Sequence, residues 1–274
     1  MRRATRVLFG LVAAAFLVAA ALVALLYAFQ NRMIFPAPSG PTPFASSSTV
    51  LETIGTADGE RLAALWHPPE PGEPTLVFLH GNGTAIATLD PVAEAWAREG
   101  YGFLVPAWRG YPGSTGRPSE PGVLLDAEAA FDLAAKRADG PLVVYGQSLG
   151  SGAAVHVATV RKPDALVLEA PYDSVLAVAS ARFPIVPVGA LLRHPFRSDQ
   201  RIGDVAAPIL IVHGDADGVI PIAHGRALHA LAPGDARFET VAGATHFNIG
   251  PLAHDRVVRF LREVLAFPKR PASG

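Results

Sequence analysis

The sequence predicts an α/β fold: a mostly parallel, doubly wound sheet with a small lid, preceded by one N-terminal transmembrane helix. Three observations carry this. From about residue 50 onward, short apolar runs alternate with longer stretches of helical character. The runs are apolar throughout, as strands covered on both faces must be, whereas a half-exposed sheet would alternate. Ahead of them, the 23 residues Val7–Phe29 contain no charge.

As a helix, that uncharged run would be about 34 Å long, enough to cross a bilayer core. Arg2, Arg3 and Arg6 precede it and Arg32 follows. The excess of positive charge places residues 1–6 in the cytoplasm, residues 7–29 in the plasma membrane and the rest on the extracytoplasmic side. The Ala-, Pro-, Arg- and Gly-rich composition fits a GC-rich bacterial genome, which would make this the inner membrane. The competing reading is a signal peptide cleaved near Ala19-Ala20-Ala21 and a secreted product. Against it, the apolar run continues from Leu22 to Phe29, past a signal core of about 7–15 residues. Residues 30–49, with Pro36-Ala37-Pro38-Ser39-Gly40-Pro41-Thr42-Pro43 and Ser46-Ser47-Ser48, read as a stiff spacer. Residues 50–274 form the globular domain.

Within it, strands are expected at Arg61–Trp66, Thr75–Leu79, Tyr101–Val105, Leu142–Tyr145, Ala165–Leu168, Ile209–Val212 and Arg237–Val241. Helices are expected at Asp90–Arg98, Leu124–Ala138, Gly150–Val160, Ile222–Leu231 and Pro251–Phe267. Residues 173–204 break the rhythm. Their apolar, proline-interrupted Phe183–Leu192 stretch reads as a lid lining an acyl pocket, or as a loosely helical crossover without a ligand role. In such folds ligands sit at the carboxyl ends of the strands.

Composition excludes several classes. With 23 Lys and Arg against 24 Asp and Glu, the net charge of -1 offers no field for nucleic acid. With no cysteine, disulfides, thiolate metal sites and a cysteine nucleophile are ruled out. The sequence has no Walker lysine, dinucleotide fingerprint or histidine–carboxylate cluster with ligand spacing, so no cofactor and no metal are expected.

One motif carries chemistry. Gly146-Gln147-Ser148-Leu149-Gly150 follows the apolar run Leu142–Tyr145 and opens an alanine-rich helix. G-x-S-x-G in that setting is a nucleophile elbow, whose glycines let neighbouring backbone pass close to the serine. A serine hydroxyl needs a general base and donors for the developing oxyanion. In the chain order Ser, Asp, His, the base falls on His246, which follows the last strand. His254, His224 and His229 lie on helices and read as solvated, and His156 and His194 do not fit the order. Two aspartates, Asp215 and Asp217, follow the Ile209–Val212 strand, and Asp215 could instead brace the turn. Oxyanion donors are expected from the backbone N–H groups of Leu149 and of Asn82, in His80-Gly81-Asn82-Gly83.

With His80–Gly83, Arg109-Gly110-Tyr111, Gly146–Gly150 and His213-Gly214-Asp215-Ala216-Asp217 in this order, the chain resembles the α/β-hydrolase superfamily. More narrowly it is similar to the membrane-anchored serine hydrolases allied to abhydrolase-domain depalmitoylases. The resemblance implies an α/β-hydrolase fold and a triad of Ser148, Asp217 and His246, choosing Asp217 over Asp215. The chain departs from that subgroup in having Ala107-Trp108 before Arg109 in place of Asp-Tyr, and an extra Pro112 before Gly113. The implied reaction is hydrolysis of an ester or thioester in a small-molecule or lipid-like acyl substrate. An amidase or peptidase, or a non-catalytic membrane-tethered binding protein, are the alternatives; a particular substrate does not travel with the fold.

Overall fold

The computed structural model describes residues 2–39 and 49–265. Eight strands form one sheet: β1 (Val50–Gly55), β2 (Arg61–His67), β3 (Thr75–Leu79), β4 (Gly102–Pro106), β5 (Leu142–Gln147), β6 (Ala165–Glu169), β7 (Ile209–Gly214) and β8 (Arg237–Val241). Their spatial order is β1-β2-β4-β3-β5-β6-β7-β8. β2 runs antiparallel to both β1 and β4, and every other pairing is parallel. β3, β4, β6 and β7 are buried at every position, as strands with helices on both faces require.

β1 was not anticipated from sequence. Only Ile54 of its six residues is buried, so this edge strand lacks both the apolar run and the alternation that mark a strand.

The helices are α1 (Arg2–Ile34), α2 (Asp90–Ala97), α3 (Glu120–Arg137), α4 (Leu149–Arg161), α5 (Val175–Arg182), α6 (Val188–Leu191), α7 (Ile222–Leu231) and α8 (Ile249–Leu265). α3 and α4 pack together on one face of the sheet, while α2 and α8 cover β4, β6 and β7. α3 begins four residues earlier than expected from Leu124. Ser119 caps it by accepting a hydrogen bond from Gly122 N–H at 3.2 Å, and Pro121 sits in the first turn. The expected end of α8 at Phe267 lies outside the described residues.

The spacer expected over residues 30–49 needs correction. α1 continues to Ile34, and its last turn docks on the domain. Gln30 donates to Leu191 O at 3.2 Å and accepts from Arg193 N–H at 2.8 Å. Asn31 donates to Pro118 O at 3.2 Å and accepts from His194 Nε2 at 3.1 Å. Phe35 is buried, its ring 5.3 Å from that of His194 and 6.0 Å from that of Phe196. These partners lie over 80 residues away in sequence, where local composition carries no sign of them. Most of the Pro- and Ser-rich stretch, residues 40–48, lies outside the described residues.

The irregular segment after β6 resolves into α5, α6 and two 3₁₀ turns. A bridge between Ser174 and Arg197 pinches its base, so residues 175–196 make a closed excursion from the sheet end. Phe196, Ser198 and Ile202, beyond or at the pinch, are buried in the body of the domain.

Candidate active site

Ser148 sits between β5 and α4 at φ 50° and ψ −119°, a left-handed conformation that side chains rarely adopt. The turn is sharp because both flanking glycines are in contact with backbone. A Cβ on Gly146 would strike Ala154 and Ser151, and one on Gly150 would strike the Leu79 carbonyl. Ser148 N–H donates to Glu169 O at 2.9 Å, tying the turn to β6.

His246, in the loop after β8, lies with Nε2 2.9 Å from Ser148 Oγ and Nδ1 2.7 Å from Asp217 Oδ2. An aspartate carboxylate can only accept, so Nδ1 carries the proton and Nε2 accepts from the serine hydroxyl. Asp217 is further held by Val219 N–H and Ile220 N–H, both 2.8 Å from Oδ1, and by His213 Nε2, 3.5 Å from Oδ2. Burial opposes its charge, yet the bonds from His213, His246 and Ile220 outweigh that and hold its carboxyl well below the usual range. Asp215 takes the other role weighed for it: it accepts from Gly243 N–H at 2.7 Å and braces the histidine loop.

The loop after β3 faces the serine from the opposite side. An added Cβ on Gly81 would lie 3.3 Å from Ser148 Cβ. Asn82, next to it, is exposed. His80 is fully buried, its Nδ1 2.7 Å from Gly81 O and its ring 5.0 Å from Trp108, and burial pushes its pKa down to about 4. Gly83 N–H donates to the Tyr111 hydroxyl at 3.3 Å, so the Arg109-Gly110-Tyr111 segment holds this loop.

The remaining histidines of the sequence comparison all have partners. His254 packs its ring 4.6 Å from that of Trp96, His224 pairs with Asp173, His156 with Glu128, and His229 bonds Ala236 O. His254, His224 and His229 are half-buried, each partnered and still partly open to solvent. Among the described residues no group of three or more His, Asp or Glu side chains is placed to hold a metal ion.

Two polar centres escaped sequence reasoning. Arg109 is buried between Asp58 and Asp126, at 2.6 and 2.8 Å. Glu169 is buried at the end of β6, accepting from Tyr145 Oη and Gln147 Nε2, and burial raises its carboxyl above the usual value. It borders a cavity of ≈ 710 Å³ between α2 and α8 that Gln147 and Phe247, neighbours of Ser148 and His246, also line. A carboxylate closing an otherwise apolar strand was the one available sign of it.

The sheet order, and a serine, an aspartate and a histidine delivered after β5, β7 and β8, are those of an α/β hydrolase. Comparison with known proteins agrees. A family model described as serine aminopeptidase, S33, matches residues 71–192. The Mycobacterium tuberculosis protein Rv2307c is 33% identical over 261 residues, 90% of this chain and 92% of its own. The α/β-hydrolase domain-containing protein WAV2 of Arabidopsis thaliana is 31% identical over 240 residues, 77% of this chain and 78% of its own. The esterase Pf2001 of Pyrococcus furiosus superposes with a TM-score of 0.67 at 17% identity, over 82% of this chain and 97% of its own. The chain belongs to the α/β-hydrolase superfamily.

Proposed function

We propose that the protein is a membrane-anchored serine hydrolase that cleaves carboxylic ester or thioester bonds through Ser148, His246 and Asp217. The observation that carries this is the continuous relay of 2.9 and 2.7 Å from Ser148 Oγ through His246 to Asp217. Ser148 Oγ attacks the acyl carbonyl while His246 Nε2 takes its proton, and Asp217 stabilises the imidazolium. The oxyanion is met by the N–H groups of Leu149 and Asn82. Collapse releases the alcohol or thiol, protonated by His246, and leaves an acyl-Ser148 ester. Water, deprotonated by His246, then frees the acid and restores the serine.

The anchor reading rests on the Thr5–Ile34 part of α1, in which an 18-residue window has a mean hydropathy of 2.8. Apart from Val23, its large apolar side chains from Val7 to Leu25 stand more than half exposed, a surface suited to lipid and not to water. The amide alternative draws on the serine aminopeptidase description of the matching family model.

A fluorophosphonate probe tests the nucleophile. Wild type is expected to label and Ser148→Ala to lose all labelling; an unlabelled wild type, or equal labelling of the variant, overturns the reading. A labelled enzyme that cleaves peptides and not esters selects the amide alternative. Release of the full-length chain by carbonate washing of membranes removes the anchor.

A further inference from the structure

α1 and the excursion after β6 enclose an apolar groove of ≈ 110 Å³, lined on one side by Val23, Leu26, Tyr27, Gln30, Met33 and Ile34. These six recur at helical spacing along one face of α1. The opposite side comprises Val175 and Ala179 of α5, Phe183 and Val186 of the following turn, and α6. α5 buries none of its residues completely, although six of its eight are Val, Leu or Ala.

The position of the groove along α1 identifies its occupant. A bilayer core about 30 Å thick takes about 20 helical residues. Counted from Val7, the core ends near Leu26, so Val23 and Leu26 lie in hydrocarbon and Gln30 lies outside it. The groove therefore crosses the membrane boundary, with one end opening into acyl chains. Tyr27 marks the interface, as amphipathic rings do, and Arg193 stands over its ring at 5.1 Å. Beside it the Phe183–Pro187 turn carries Ile185, 96% exposed. Beyond its Ile34 end, past the groove's own lining, packed side chains continue toward residues that support Ser148. Phe35 packs on Phe196, Phe196 on Tyr172, and the Tyr172 hydroxyl donates to Leu149 O at 3.0 Å. Pro36 lies 3.8 Å from the Cβ position of Gly83 in the loop facing Ser148. The larger cavity between α2 and α8 mixes apolar side chains with the charged Arg98, Glu99, Glu169 and Asp255, which a hydrocarbon chain would desolvate.

We propose that this groove takes one acyl chain of a bilayer lipid, so that the anchor helix is itself a wall of the substrate site. This rests on the acyl-hydrolase and anchor readings above. It makes α1 a specificity element, with chain length measured between α1 and α5.

The test uses the full chain with Ser148→Ala, reconstituted in phosphatidylcholine–phosphatidylglycerol vesicles containing a phospholipid with a diazirine in one acyl chain. After irradiation, adducts are expected on α5 and α6 as well as on the lipid-facing turns Val12–Val18. Adding Ala179→Trp, which fills the groove, is expected to cut the α5 and α6 adducts about tenfold and leave those on Val12–Val18. Val160→Trp, at an exposed position on α4, changes neither. In the Ser148 background, Ala179→Trp lowers the ratio of kcat/KM for long-chain over short-chain esters by about tenfold. Adducts confined to α1, α5 adducts undiminished by Ala179→Trp, or an unchanged ratio overturns the proposal. Fluorophosphonate labelling of the wild-type chain in vesicles of the same composition separates the two readings. Labelling without α5 adducts removes the groove and keeps the hydrolase, and adducts without labelling do the reverse.

Discussion

Two buried polar centres follow the carboxyl ends of β4 and β5, and they are built on opposite plans. Around Arg109 everything is closed. Its Nε and backbone N–H donate to Asp126 at 2.9 Å each, and its terminal nitrogens reach Asp58 at 2.6 and 3.0 Å. Around Ser148 the chain of bonds has one open end, because the serine oxygen keeps lone pairs that no protein group occupies in the relay. The first centre converts charge into rigidity, holding the segment that supports the Gly81–Gly83 loop. The second keeps a polarised group available. Two aspartates in similar burial thus do different work, and the difference lies in whether their partner has anything left to donate.

The largest effect should come from the open centre. Asp217→Asn keeps the shape but removes the obligatory acceptor at His246 Nδ1, which favours the wrong tautomer. Ester hydrolysis is expected to fall about 10⁴-fold in kcat with the melting temperature nearly unchanged. A loss of only a few-fold would mean that the relay does not carry the chemistry.

Asp126→Asn should do the converse. It leaves the Arg109 guanidinium buried with its inner carboxylate gone, a situation that costs about 3–5 kcal/mol of stability. Asp58→Ala, whose side chain is 40% exposed, should cost no more than about 1 kcal/mol. Urea denaturation measures both, and activity per folded molecule should stay within a few-fold. If the two variants lose the same stability, the closed centre is not organised around burial.

The smallest effect concerns Glu169. Burial raises its carboxyl above the ordinary 4.5, so the folded protein holds this proton more tightly than the unfolded chain. The contribution to stability is fully present below 4.5 and is lost as pH rises through the raised value. Glu169→Gln, neutral throughout, should match wild type in acid and melt above it at neutral pH. A melting-temperature gap of constant size across that range would refute the assignment.

What was readable from sequence followed the range of the interaction. Ser148 announced itself because the strand, the two glycines and the helix that make its turn are contiguous. The order Ser148, Asp217, His246 is a property of chain connectivity, and a linear reading can use it. The choice between Asp215 and Asp217 is different: both follow β7, spacing does not separate them, and beyond the family resemblance it is the packing of the Gly243 and His246 loops that puts one on the turn and the other beside the imidazole. Asp126 sits 17 residues from Arg109, on a helix whose periodicity gave no reason to single it out. β1 stayed hidden because an exposed edge strand has no hydrophobic pattern to show. The docking of Gln30 and Asn31 was obscured by a sharp boundary in composition at Phe29, which ends the uncharged run but not the helix.

The left-handed backbone of Ser148 has a consequence for how stable such a protein can become. Glycine is the residue that would sit at φ 50° with least penalty, and glycine there has no hydroxyl. Under the proposed mechanism, any drift toward a more relaxed fold at this turn is therefore drift toward inactivity. Selection for function must hold the position against selection for stability, and stability gained elsewhere in the domain is what permits it.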